Sequence, residues 1–175
     1  GPVLPLLVKA STAVFGVHPF GVRFLAPFLM LGAGYLVWQM SRGMFDATTA
    51  SWALVIFQVT PAVNLASVTM TLTTLGIASS VVLLMALRLA LHREYRWHLQ
   101  WWLLAGALVL AMAVDWRLFM LAVSCVAGMA LTQRGRRALL KWPVLPILGS
   151  CVGLAITFFL AWNSEHGWPA FAPFP

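Results

Sequence analysis

Carboxylates are few in this sequence: Asp46, Glu94, Asp115 and Glu165 are the only four in 175 residues, against 11 Lys and Arg. Mechanisms built on paired acids or on a Ser-His-Asp relay need such groups close together, and no catalytic triad is in view. Cysteine is scarcer still. Cys125 and Cys151 both stand inside apolar runs, where a free thiol behaves as a small hydrophobe, and neither their spacing nor their context suggests a disulfide. His18, His92, His98 and His166 form no His/Cys cluster at ligand spacing, so neither a metal nor a cofactor is expected. A Gly-x-Gly-x-x-Gly turn and strand alternation are also missing, which excludes a soluble nucleotide-binding module.

Apolar residues fill the space left by charge. With 62% hydrophobic and 9% charged residues, and a mean hydropathy of +0.91, the chain has more apolar surface than a soluble core of this size can hide. It reads as an all-α integral membrane protein. The formal net charge of +7 does not point to nucleic acid, because the basic residues are scattered over short loops instead of forming one stripe. Membrane lipids are the expected partners. The opening Gly1-Pro2 shows neither an initiating Met nor a charged n-region, and the expectation is a piece of a longer protein.

Residues 1–16 are too short to span and read as an amphipathic interfacial helix, followed by the turn formers Val17–Gly21. Spans are expected near 22–40, 47–67, 70–91, 99–114 and 118–132/143–161, about five transmembrane helices in a single domain. Gly32 and Gly34 in the first of them allow close helix contact, and Pro61 in the second breaks the backbone ladder. The threonines of Thr69-Met70-Thr71-Leu72-Thr73-Thr74 suit local helix caps.

The block 99–132 would reach roughly 50 Å as one helix, against a hydrocarbon core of roughly 30 Å. Asp115-Trp116-Arg117, its only acid and base, therefore reads as the turn of a helical hairpin. Loop charges fix the direction. Arg42, then Arg88, Arg93 and Arg96, then Arg134, Arg136, Arg137 and Lys141 fall in alternate loops, which assigns those loops to the cytoplasm. The amino-terminal segment, Asp115-Trp116-Arg117 and the tail from Trp162 are then on the outer face.

On that face stand Asp115, Glu165, His166, Lys9, Arg23 and Arg117. Two readings stay open for them. Asp115 beside Arg117 is either a turn with a local ion pair, or part of a site where cations hold a lipid phosphate and a carboxylate acts as base or orients an acceptor. His166 is a titratable neighbour or a plain loop residue. Asp46 and Glu94, among arginines, read as solvated loop charges. Span centres hold almost no ionisable groups, which argues against an ion-coupled carrier or flippase.

Three colinear stretches carry a family resemblance: Val14-Phe15-Gly16 with Phe20-Gly21-Val22-Arg23, then Arg42 with Phe45-Asp46, then Ala161-Trp162-Asn163-Ser164-Glu165-His166-Gly167-Trp168. Together they resemble the bacterial membrane glycosyltransferases of the GT-C class, ArnT-like and protein O-mannosyltransferase-like enzymes. The resemblance implies transfer of a sugar from a polyprenyl-phosphate carrier, a lipid-linked sugar donor, to an acceptor at the outer, periplasmic face of a bacterial cytoplasmic (inner) membrane. It also implies that the catalytic Asp of the first outer loop, with its phosphate-binding Lys, would lie before Gly1. In that frame Arg23, Arg117 and Lys9 are phosphate-binding candidates, and Asp115, Glu165 and His166 line the mouth. One departure lies inside the chain. Where many relatives carry an acid in a Met-Thr-x-Asp-like sequence, this one reads Met70-Thr71-Leu72-Thr73, and Thr73 does not replace a charge. The alternative is a non-catalytic structural subunit that packs beside a partner in a membrane complex.

Overall fold

The computed structural model describes residues 3–91, 97–115, 118–133, 136 and 144–165, some of them by backbone alone. Every regular element among them is an α-helix. In chain order these are α1 (Val3–Phe15), α2 (Pro19–Arg23), α3 (Leu25–Arg42), α4 (Ala47–Val59), α5 (Pro61–Val68), α6 (Leu72–Leu91), α7 (Trp97–Val114), α8 (Leu118–Leu131) and α9 (Val144–Glu165). Two stretches are long and apolar enough to cross a membrane, Pro19–Arg42 and Leu72–Ala90; α4 and α5 count as a third if their bent pair is one span.

The first of these stretches begins earlier than the sequence suggests. Pro19 lacks the N–H that an opening helical residue leaves unused, so it starts a helix where turn formers point to a connector. Phe24 bridges α2 and α3 in helical conformation, its N–H donating to Phe20 O at 2.9 Å. The carboxyl end of α3 is closed by Gly43 and, from the neighbouring helix, by Arg88 of α6. Its guanidinium donates to Met40 O at 2.8 Å and Gln39 O at 3.3 Å, a cation on the negative pole of the helix.

Asp46 then opens α4. Its carboxylate accepts from the N–H of Thr48 at 3.2 Å, the N–H of Thr49 at 3.4 Å and the Thr49 hydroxyl. The Thr49 hydroxyl bond, aided by the backbone donors, holds this carboxyl below the usual carboxylate range.

Thr60-Pro61 does break the second apolar stretch, with a bend of 64° between α4 and α5. Pro61 offers no N–H, and the Asn64 side chain returns to donate to Gln58 O at 2.8 Å. After the bend α5 tucks Val63 and Ala66 against Met30 of α3, with Ile77 and Ala78 of α6 beside them. Thr71 and Thr74 then cap each other at the start of α6. The fully buried Thr74 hydroxyl also donates to Thr69 O at 2.5 Å and Ala66 O at 3.1 Å.

The other half of the bundle is built on α7, which packs against α6, α8, α9 and α1. Leu83, Ala86 and Ala90 of α6 meet Trp101, Leu104, Ala107 and Leu108 of α7, with Met129 of α8 alongside. Small alanines let the backbones come close around one large ring. That arrangement suits hydrocarbon, where helices associate by packing instead of by exclusion from water. Of the two glycines expected to mediate helix contact, Gly34 does: a Cβ there would lie 3.1 Å from Leu54 Cδ1 and 2.6 Å from Gln58 Nε2 of α4. Gly32 has nothing within 4 Å.

Candidate functional site

The most tightly specified corner joins α1 to α2. Gly16 takes φ +80°, a left-handed conformation open to glycine, and the chain folds back so that a Cβ on Gly21 would lie 2.4 Å from the Gly16 carbonyl oxygen. The buried Ser11 hydroxyl donates to Gly21 O at 2.5 Å, tying α1 to the head of the next helix. Around this joint Phe15, Phe20, Phe24 and Phe28 form a continuous run of rings, with centroids 4.2 Å apart for Phe15 and Phe24 and 4.9 Å for Phe24 and Phe28. The joint gives a structural reason for the Phe-Gly repeat: each glycine is needed by the other, and each Phe rests on its neighbour.

The corner carries two of the candidate cations. Lys9 lies on α1, exposed, about two turns before Gly16, and Arg23 ends α2, also exposed. Asp115 follows α7, half-buried, its N–H donating to Ala111 O at 3.0 Å and its carbonyl accepting from Leu118 N at 3.0 Å. These bonds end one helix and start the next, as a turn between α7 and α8 requires. Glu165 ends α9 and is exposed, and Asn163, two residues earlier, is buried to 1% exposure. Both Asp115 and Asn163 have interaction partners.

Three elements with candidate groups thus share one support. α7 leads directly into Asp115, while α1 with Lys9 and α9 with Glu165 both pack against it. Among the described residues no ion pair joins Lys9 or Arg23 to Glu165. Arg117 and His166 lie outside the described residues, as do Trp116, the basic loop 92–96, Arg134, Arg137, Lys141 and the tail beyond Glu165. α9 runs through Trp162 to Glu165, so the polar-aromatic stretch begins as helix, not as a tail. Thr73, at the place where the resemblance expects an acid, is exposed in the first turn of α6, one residue from the buried Thr74. Among the described residues no group of three His, Cys, Asp or Glu is placed to hold a metal.

Sequence reasoning missed three groups here. Ser11 was one polar residue among several on a short helix, and its partner is a carbonyl that no side-chain pattern reveals. Asn163 is legible only through the family-like ending. Gln100, 2% exposed in α7, has a side-chain amide nitrogen without a hydrogen-bond partner, and nothing in the apolar run around it marks it as buried.

The family model described as dolichyl-phosphate-mannose-protein mannosyltransferase matches residues 1–162. No curated protein and no solved structure matches the chain.

Proposed function

We propose that this chain, which belongs to the dolichyl-phosphate-mannose-protein mannosyltransferase family, is the membrane part of an enzyme that moves a sugar from a polyprenyl-phosphate carrier to an acceptor at the outer face of a bacterial cytoplasmic membrane. Membership supports a membrane glycosyltransferase of the GT-C type, and the apolar helices agree with it. The observation that carries the reading is the reach of the family match, residues 1–162, across both halves of the bundle.

Sidedness rests on charge. Arg42 at the end of α3, Arg88 in the last turn of α6 and Arg136 after α8 mark the three basic ends assigned to the cytoplasm. With the amino-terminal segment and the end of α9 both on the outer side, the number of crossings must be even. Six crossings would meet it, α2–α3, the bent α4–α5, α6, α7, α8 and α9, one more than the expectation of about five; of these α2–α3 and α6, with α4–α5 if the bent pair is one span, are long and apolar enough to cross by themselves. The α7–α8 hairpin then turns at Asp115 on the outer face, where α1 lies on the surface.

In this arrangement Arg23, Lys9 and Arg117 are available to the carrier phosphate, whose leaving oxygen gains negative charge as the sugar departs; cations there stabilise that charge. Asp115, Glu165 and His166 line the approach of the acceptor.

The test is transfer from a polyprenyl-phosphate sugar by the full-length protein in nanodiscs. Wild type turns over, and Arg23→Ala raises KM for the donor about tenfold, the worth of one charge-assisted phosphate contact. Absence of turnover with every donor, together with stoichiometric co-purification of a partner, replaces this reading with that of a structural subunit. Sidedness is tested separately. A Trp116→Cys variant is labelled by a membrane-impermeant maleimide from outside only, and efficient labelling from the cytoplasmic side inverts the topology.

A further inference from the structure

At the basic end of α3, away from the candidate site, two guanidiniums have no carboxylate partner among the described residues. Arg42 lies over the Trp38 ring, 5.1 Å from its centroid, and is exposed. Arg88 occupies the space a Cβ on Gly43 would take, held there by the carbonyls of Gln39 and Met40. The nearest acid in sequence, Asp46, is committed to the first turn of α4. Two fixed cations at the last turn of one helix therefore stand with no anion of their own among the described residues.

Below them runs an apolar strip of matching length. Leu31, Tyr35, Trp38 and Arg42 recur at helical spacing of four, three and four, which puts them on one face of α3. Leu31 is 63% and Tyr35 58% exposed. The Tyr35 and Trp38 rings stack with centroids 6.1 Å apart and planes 30° apart. Eleven residues of helix separate Leu31 from Arg42, roughly 16 Å, which is half of a hydrocarbon core of roughly 30 Å and so one leaflet deep. Met44 and Phe45, both exposed in the turn that follows, anchor this end at the level of the headgroups.

We propose that this end of α3 is a binding site for one anionic phospholipid of the adjoining leaflet. Its phosphate sits between Arg42 and Arg88, and one acyl chain lies along Trp38, Tyr35 and Leu31. Charge complementarity selects the headgroup, and the one-leaflet length of the strip selects a phospholipid over a chain that crosses the bilayer. The site is independent of sugar transfer and stands whether or not that reading holds.

The test is native mass spectrometry of the full-length protein in detergent, offered phosphatidylglycerol and phosphatidylcholine with the same acyl chains. Wild type retains one phosphatidylglycerol at least about fivefold more tightly than phosphatidylcholine, the worth of one basic side chain at a lipid surface. Arg42→Gln, an exposed change that leaves the Arg88 cap in place, removes about fivefold of that preference. Trp38→Leu weakens retention in the same direction, and Arg136→Gln, in a different basic loop, leaves it unchanged. Equal retention of the two lipids overturns the site. So does an Arg42→Gln protein that behaves as wild type, or a loss with Arg136→Gln as large as with Arg42→Gln, which would mean attraction to basic loops in general.

Discussion

Replacing Gly21 by Ala asks the most direct question of the joint between α1 and α2. The added Cβ would lie 2.4 Å from the Gly16 carbonyl oxygen, so the two backbones must part by about an ångström to reach ordinary van der Waals distance. Gly16 cannot yield easily, because its φ of +80° is already the conformation that lets the chain turn there. Overpacking of this kind costs about 1–3 kcal/mol. Parting the segments also stretches the Ser11 bond to Gly21 O, a further 0.5–1.5 kcal/mol or so. The expected loss is thus about 2–4 kcal/mol, a fall of several degrees in the thermal midpoint of the detergent-solubilised protein. Amide exchange should localise it, with the amides of α1 accelerating before those of α6 and α7. Gly32→Ala is the matched control, since nothing lies within 4 Å of that position and alanine favours helix. If the two variants melt alike, the close approach at the joint is not what holds α1.

Three other outcomes are expected. Gly43→Ala pushes Arg88 off the end of α3, and because Arg88 is flexible the cost is that of the lost cap, about 1–2 kcal/mol in thermal unfolding, with Arg88→Lys recovering part of it. Thr74→Val keeps the shape but leaves the Ala66 and Thr69 carbonyls short of a donor, and should cost about 1–3 kcal/mol, where Thr73→Val on the exposed side costs little. At the first turn of α4 the sign of the pH effect follows from a depressed carboxyl. The Asp46 contribution is complete above its unfolded pKa and is lost as pH falls through the lower folded value, so exchange of the Thr48 and Thr49 amides should rise only in acid, and Asp46→Ala should raise it at every pH.

Much of this architecture was legible before any coordinates, for reasons that differ from element to element. Length and apolarity alone mark the helices on either side of residues 115–117, because no single helix of that reach fits a bilayer. Pro61 announces the break between α4 and α5, since proline removes the same hydrogen bond wherever it falls; the angle and the compensating Asn64 depend on neighbours and were not readable. Start points were misjudged where one residue has two uses. Pro19 in a run of turn formers signals a connector by composition and a first helical residue by chemistry, and the missing N–H decides for the helix. Gly32 and Gly34 look identical in sequence, and only the position of α4 makes one of them a contact. For the candidate site, sequence supplied the groups but not their company. Arg23 and Lys9 were visible as cations; that they flank a joint sealed by a serine and two glycines was not, because the seal is a side chain meeting a carbonyl ten residues away.

α7 supports α1, and the two are far apart along the chain. Val3 leaves the ribosome 94 residues ahead of Trp97, and at roughly 5–20 residues per second the first helix waits about 5–20 s for its partner. During that interval α2 and the Phe24 ring beside it are the described neighbours already made that pack on α1. The sealed joint is thus a device for synthesis as much as for the finished molecule, fixing the angle of α1 to the first span before the helix that will support it exists.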